Sequence, residues 1–280
     1  MSTNQKDTAN LPIKRNLTLI YALSLVIALL MTAASVAGFL YRTVIYPTDE
    51  LLKAFMPNDV VNLFIGVPIL LGSMWLARRG QLIGLLFWPG ALLYVLYNYL
   101  AYVFGMPFNE VFLLYLTLVT LSTYTLIGLV ASIDDTAIRQ RLTGVVPERA
   151  AGGVLAGLGI LVSLRVVGVM IGALVNQTPI VTTELSALVS DFMMNPAWII
   201  GGVLLWRREA LGYVAGLGLL FQASMLFIGL IFFLLLQPIL TAAPFILTDV
   251  VVVFIMGLVC FTPFALFVRG VVSKRDPLST

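Results

Sequence analysis

Apolar residues fall into eight long runs separated by short polar breaks, and no run shows the two-residue alternation of a half-buried strand. A helix that crosses hydrocarbon needs roughly 20 mostly apolar residues. Reading the runs between charged or Gly/Pro-rich breaks predicts spans at 17–41, 58–77, 82–104, 109–131, 151–175, 186–206, 211–237 and 246–269. The sixth is long enough only with Asp191 and Pro196 inside it. The fold class expected is therefore an all-α integral membrane protein of eight transmembrane helices.

The breaks also set an orientation. The first 15 residues are polar and end in Lys14-Arg15, and the run after them is too long for a signal-peptide core, so it reads as a retained first span. With the N-terminus inside, one side holds Lys6, Lys14, Arg15, Arg78, Arg79, Arg139, Arg141, Arg149, Arg207, Arg208, Arg269, Lys274 and Arg275. The other side holds only Arg42 and Lys53. Short loops are where a Lys/Arg bias reports orientation, so both termini are expected to be cytoplasmic, in the plasma (cell) membrane.

The two halves resemble one four-helix unit written twice. Glu110 and the run after it match Asp249 and the run after it, and Asn62, Pro68 and Arg78-Arg79 match Asp191, Pro196 and Arg207-Arg208. A unit of four spans begins and ends on the same side, so its copy inserts in the same orientation, with a pseudo-two-fold axis along the membrane normal. The organisation expected is a tail at 1–16, a first repeat at 17–131, a cytoplasmic linker at 132–150, a second repeat at 151–269 and a tail at 270–280.

Composition agrees and narrows the chemistry. Of 280 residues, 60% are hydrophobic and 10% charged, far below the roughly 25% charged of soluble domains. A net charge of +3 in such a chain marks cytoplasmic loops and not a nucleic-acid partner. There is no histidine, which removes histidine-ligated haem, HExxH zinc and Ser-His-Asp chemistry. The one cysteine, Cys260, permits neither an internal disulfide nor a CxxC pair, and all four lysines lie outside the apolar runs. No cofactor or metal is expected.

The polar residues inside the runs are the candidate ligand-binding residues. Arg165 lies ten residues from the outer end of the fifth span, ~15 Å deep at 1.5 Å per residue, where a charge is costly and needs a partner. Asp191, on the next and antiparallel span, is its expected partner, with Asp249 second. Tyr94, Asn98 and Tyr102 share one face of the third span. Asn98 sits near the depth of Asn62, and Gln222 and Ser224 occupy the corresponding part of the seventh span. Tyr99 and Tyr102 read as an aromatic belt near the outer headgroups. Pro68 and Pro196 predict matched interruptions of the second and sixth helices. Asp49, Glu50, Asp59, Glu110, Glu184, Asp191 and Asp249 give the outer face an acidic character, though Glu110 and Asp249 also sit where a carboxylate offsets a helix dipole.

These features suit a secondary transporter or channel for a small polar or ionic solute, with a path between the halves. A non-catalytic subunit or lipid-interacting scaffold is the alternative, favoured by the very short loops. A lipid-modifying enzyme, its chemistry falling to carboxylates and tyrosine or to a metal held by carboxylates such as Asp49, Glu50 and Asp59, is a second alternative.

Overall fold

The computed structural model describes residues 11–273; Lys6, Lys274 and Arg275, which entered the charge count, lie outside them. Among the described residues there is no β-strand. One isolated antiparallel bridge joins Ile13 to Ile133, and everything else is helix and short turns.

The helices are α1 (Thr18–Leu40), a single turn α2 (Arg42–Ile45), α3 (Asp49–Val61), a π-helical turn (Asn62–Gly66), α4 (Val67–Arg78), α5 (Leu82–Gly105), α6 (Phe112–Ser132), α7 (Asp135–Leu142), α8 (Glu148–Val175), α9 (Thr182–Trp206), α10 (Ala210–Leu240) and α11 (Leu247–Ser273). With α3, the π turn and α4 counted as one, eight helices among the described residues are long and apolar enough to cross a membrane. The second of these starts at Asp49, not near 58, because Thr48 caps it by accepting a hydrogen bond from the Leu51 N–H at 3.3 Å. Its first three turns carry Asp59 into the bundle.

One end of the bundle is basic. The residues before α1 clamp onto the segment before α7, Lys14 N–H donating to the Ser132 carbonyl and Asp134 N–H to that of Pro12. Lys14 and Asp135 pair at 2.7 Å. Their shared hydrogen bond raises the lysine above its ordinary range and lowers the carboxyl below its own. Asp134 caps α7, which packs on α10. Glu148 closes the linker by accepting from the Gly144 N–H at 2.8 Å and the Tyr213 hydroxyl at 3.1 Å.

α5 and α10 form the centre. α5 packs on α4, α6, α9 and α10, and α10 packs on α3, α5, α9 and α11. α5 is the most buried of the eight. The two cross with their backbones nearly touching: a Cβ on Gly90 would overlap the Gly218 carbonyl, and one on Gly218 would lie 3.2 Å from the Leu86 carbonyl oxygen. Small residues permit this approach in a membrane helix pair.

Gly218 follows Gly90 by 128 residues, and the same interval recurs elsewhere. Buried Ile20, Ser24, Ile27, Ala28, Met31 and Gly38 of α1 map onto Glu148, Gly152, Leu155, Ala156, Gly159 and Val166 of α8, all buried as well. After α4, Gly80 and Gln81 donate to the carbonyls of Ala77 and Leu76; after α9, Arg208 and Glu209 donate to those of Leu205 and Leu204. Gly80 and Arg208 both have positive φ, 73° and 59°. At this interval Arg79 falls on Arg207 and Asn62 on Ser190, whereas the sequence match set Arg78 on Arg207 and Asn62 on Asp191. Residues 80 and 208 thus share the left-handed conformation, held by glycine in the first turn and by arginine in the second.

The matched interruptions at Pro68 and Pro196 form only once. A π turn opens just before Pro68, whereas α9 runs unbroken through Pro196.

Candidate functional site

Three polar groupings lie inside or against the bundle. The first is the expected pair: Arg165 Nη1 of α8 stands 3.7 Å from Asp191 Oδ2 of α9. Asp191 is anchored from the bundle side as well, its Oδ1 accepting from the Tyr97 hydroxyl of α5 at 2.9 Å. The two partners differ in setting. The Asp191 side chain is 19% exposed and that of Arg165 63%, so the guanidinium sits on the outside of the bundle.

The second grouping was not foreseen as a centre. Asp59 of α3, assigned by sequence to the acidic outer face, is 2% exposed. Its carboxylate accepts from two tyrosine hydroxyls: Tyr46, on the segment after α2, donates to Oδ2, and Tyr102 of α5 donates to Oδ1 at 2.8 Å. Asn58 Nδ2 reaches the Tyr102 hydroxyl at 3.4 Å. Tyr99 and Tyr115 complete an aromatic wall, with ring centroids 5.3 Å and 4.9 Å from Tyr102. Tyr99 and Tyr102 are thus fully buried, not an aromatic belt, because the face of α5 that carries them turns inward against Phe55 of α3 and Tyr115 of α6. Asp59 forms no ion pair with lysine or arginine among the described residues.

Gly38 of α1 makes room for this carboxylate. A Cβ there would overlap Asp59 Oδ2 and lie 2.6 Å from the Tyr46 hydroxyl oxygen. Gly38→Ala is expected to displace Asp59 and expose or rotate Tyr46 while leaving the helix itself, which alanine favours, intact. Tyrosine fluorescence and cysteine accessibility at position 46 (Tyr46→Cys, with and without the alanine) would check it, and unchanged accessibility would refute the packing argument.

The third grouping surrounds the π turn. Asn62, its first residue, is 0% exposed, and neither its amide nitrogen nor its oxygen finds a hydrogen-bond partner. Tyr94 packs beside Gly66, its Cε1 3.1 Å from where a Cβ would stand, and Asn98 donates to the Tyr94 carbonyl at 2.9 Å. The remaining candidates lie elsewhere. Gln222 accepts from the Trp198 indole at 2.8 Å in the second half, while Glu110 and Asp249 are exposed at the acidic end, next to the starts of α6 and α11. The carboxylates considered for catalysis do not converge: Asp49 faces Lys53 at 3.9 Å, Glu50 accepts from the Thr183 hydroxyl at 2.9 Å, and Asp59 is turned inward.

A cavity of about 630 Å³ opens at the acidic end between Arg42, Tyr46, Thr48 and Asp49 of the first half and Leu240 and Thr241 of the second. Tyr46 is shared between this cavity and the Asp59 centre. The sequence signal for that centre was Asn58, Asp59 and Asn62 within about one helical turn.

Eight apolar helices around buried polar groups define a polytopic α-helical membrane protein. No family model matches the chain, and neither a curated protein nor a solved structure matches it.

Proposed function

We propose that the chain is a secondary transporter or channel for a small polar or ionic solute. In this reading it is built from two parallel four-helix repeats, 17–131 and 151–269, with both termini on the cytoplasmic side of the cell membrane. The observation that carries the reading is Asp59: a carboxylate buried in the bundle, oriented by two tyrosines and facing no protein cation. Such a group within a membrane span is costly to maintain and marks ion pathways and proton relays. Tyr46 links it to a cavity walled by both halves.

Support for the repeat comes from the 128-residue interval, kept by the buried face of α1 and α8, by the turns after α4 and α9, and by the glycines of the central crossing. Equivalent glycines meeting each other is what a two-fold axis through the α5/α10 crossing requires. Support for the orientation comes from the basic end, which gathers Lys14, Arg15, Arg78, Arg79, Arg139, Arg141, Arg149, Arg207, Arg208 and Arg269, against Arg42 and Lys53 at the other.

The test is reconstitution of the full chain into vesicles under imposed proton, sodium or potassium gradients. Protein-containing vesicles are expected to dissipate at least one gradient faster than empty vesicles, and Asp59→Asn to return the rate to theirs. No difference from empty vesicles in any of the three would overturn the reading.

One observation favours the alternative, a subunit of a larger membrane assembly. Arg165 stands 63% exposed on α8, and Cβ positions on Gly157, Gly168 and Gly172 of that helix meet nothing within 4 Å. A protein partner that co-purifies in stoichiometric amount and is lost in Arg165→Leu would support that reading over transport.

A further inference from the structure

We propose that Asn62, Ser35 and Asp59 form a binding site for a small monovalent cation, of the sodium or potassium class, at the π turn of the second span. The inference rests on the transport reading of Asp59 and names the ion that reading leaves open.

The site follows from how α1 lies against the second span. Gly38 faces Asp59, and Gly66 faces Met31, whose Cε a Cβ at Gly66 would overlap. The helices are antiparallel, so the register between these two contacts sets Ser35 opposite Asn62. Both are buried, Ser35 at 1% exposure and Asn62 at 0%. Ser35 Oγ, Asn62 Oδ1 and Asn62 Nδ2 all lack a hydrogen-bond partner. Buried polar atoms are nearly always paired, so three orphans at one level of adjacent helices, with the Tyr99 hydroxyl beside Ser35, point to a ligand or a ligand with its water.

The backbone contributes to the same place. The π bond runs from the Val67 N–H to the Asn62 carbonyl, and the next bond in that ladder would need an N–H on residue 68, which is proline. The Leu63 carbonyl thereby loses its partner from the π ladder. π turns are enriched at functional sites for this reason.

The chemistry selects the ligand. The available donors are oxygens: an amide, a hydroxyl, a backbone carbonyl and the Asp59 carboxylate one turn toward the acidic end. Oxygen-only sets suit hard cations. There is no histidine in the chain, and Cys260 sits against Ser224 in the second half, so no softer ligand competes. One carboxylate balances one positive charge, while a divalent ion would leave an uncompensated charge in the bundle interior. Tyr46 and Tyr102 fix the carboxylate, and Tyr46 borders the cavity from which an ion would arrive.

The experiment measures binding without transport. The purified full chain in detergent is titrated with NaCl or KCl against choline chloride at constant ionic strength, and the thermal midpoint is followed. A ligand that binds only the folded state raises the midpoint saturably. The wild type is expected to show that rise with sodium or potassium but not choline. Asn62→Ala and Ser35→Ala are expected to weaken the apparent affinity by roughly tenfold or more, about 1.4 kcal/mol, and Asp59→Asn to abolish the response. Isothermal titration of the wild type gives the same constant without relying on any variant's folding.

Equal responses to sodium, potassium and choline would overturn the site, as would a midpoint that follows pH alone, which would assign Asp59 a proton. Unaltered affinity in Asn62→Ala would also overturn it. Ion binding in a protein that moves no ion across vesicles would sink the transport reading and leave the site standing. Flux without ion-specific binding would do the reverse.

Discussion

Arg165→Met is expected to lower the thermal midpoint in detergent sharply, and adding Asp191→Leu to restore much of it. Asp191 is largely buried and its remaining partner in the single variant is the Tyr97 hydroxyl. Removing one partner of a desolvated pair typically costs ~3–5 kcal/mol, whereas replacing both with apolar side chains costs less. The 3.7 Å separation and the exposed guanidinium place this pair toward the lower end of that range. A double variant no more stable than the sum of the singles would show that the two charges do not support each other. Singles that keep their stability but lose solute flux would assign the pair to the pathway and not to the scaffold.

The second large effect concerns the two glycines that meet where α5 crosses α10. Gly90→Ala is expected to destabilise the chain by ~1–3 kcal/mol or more, the range for overpacking. The new methyl would overlap the Gly218 carbonyl, backbone against backbone, with no flexible side chain to yield. Gly218→Ala is expected to cost less: its nearest contacts are also backbone atoms, but at 3.2 Å and 3.3 Å they need move only a few tenths of an ångström, and alanine returns up to ~1 kcal/mol of helix propensity. Thermal denaturation of the two variants side by side would check it. Equal losses would mean that α5 and α10 do not cross where the backbones meet.

The spans were legible because a membrane helix declares itself locally, by an uncharged run of the right length. Arg165 and Asp191 could be paired from depth alone, since neighbouring antiparallel helices leave few partners for a buried charge. Asp59 could not. Its apolar run begins beside it, so the sequence puts it at the surface. What buries it is remote: the cap at Thr48 that starts the helix early, the missing side chain at Gly38, and Tyr46 and Tyr102 from two other segments. Tyr99 and Tyr102 were misassigned for a related reason. Tyrosines near the end of a span suggest a headgroup belt only if the helix touches lipid, and the central place of α5 is a property of the whole packing.

The central position of α5 also bears on how the protein is made. α5 and α9 are the least apolar of the eight spans, and both pack against the core of the bundle. A segment with an amide and several phenols along it partitions poorly from the translocon into lipid by itself. α5 emerges from the ribosome after α1 and the α3–α4 helix, whose Ser24 and Asp59 accept from its Trp88 and Tyr102. Polar groups such as Asp59 and Ser24 are thus placed to serve as insertion partners, and α5 is expected to enter the bilayer with the earlier helices and not as a solitary one.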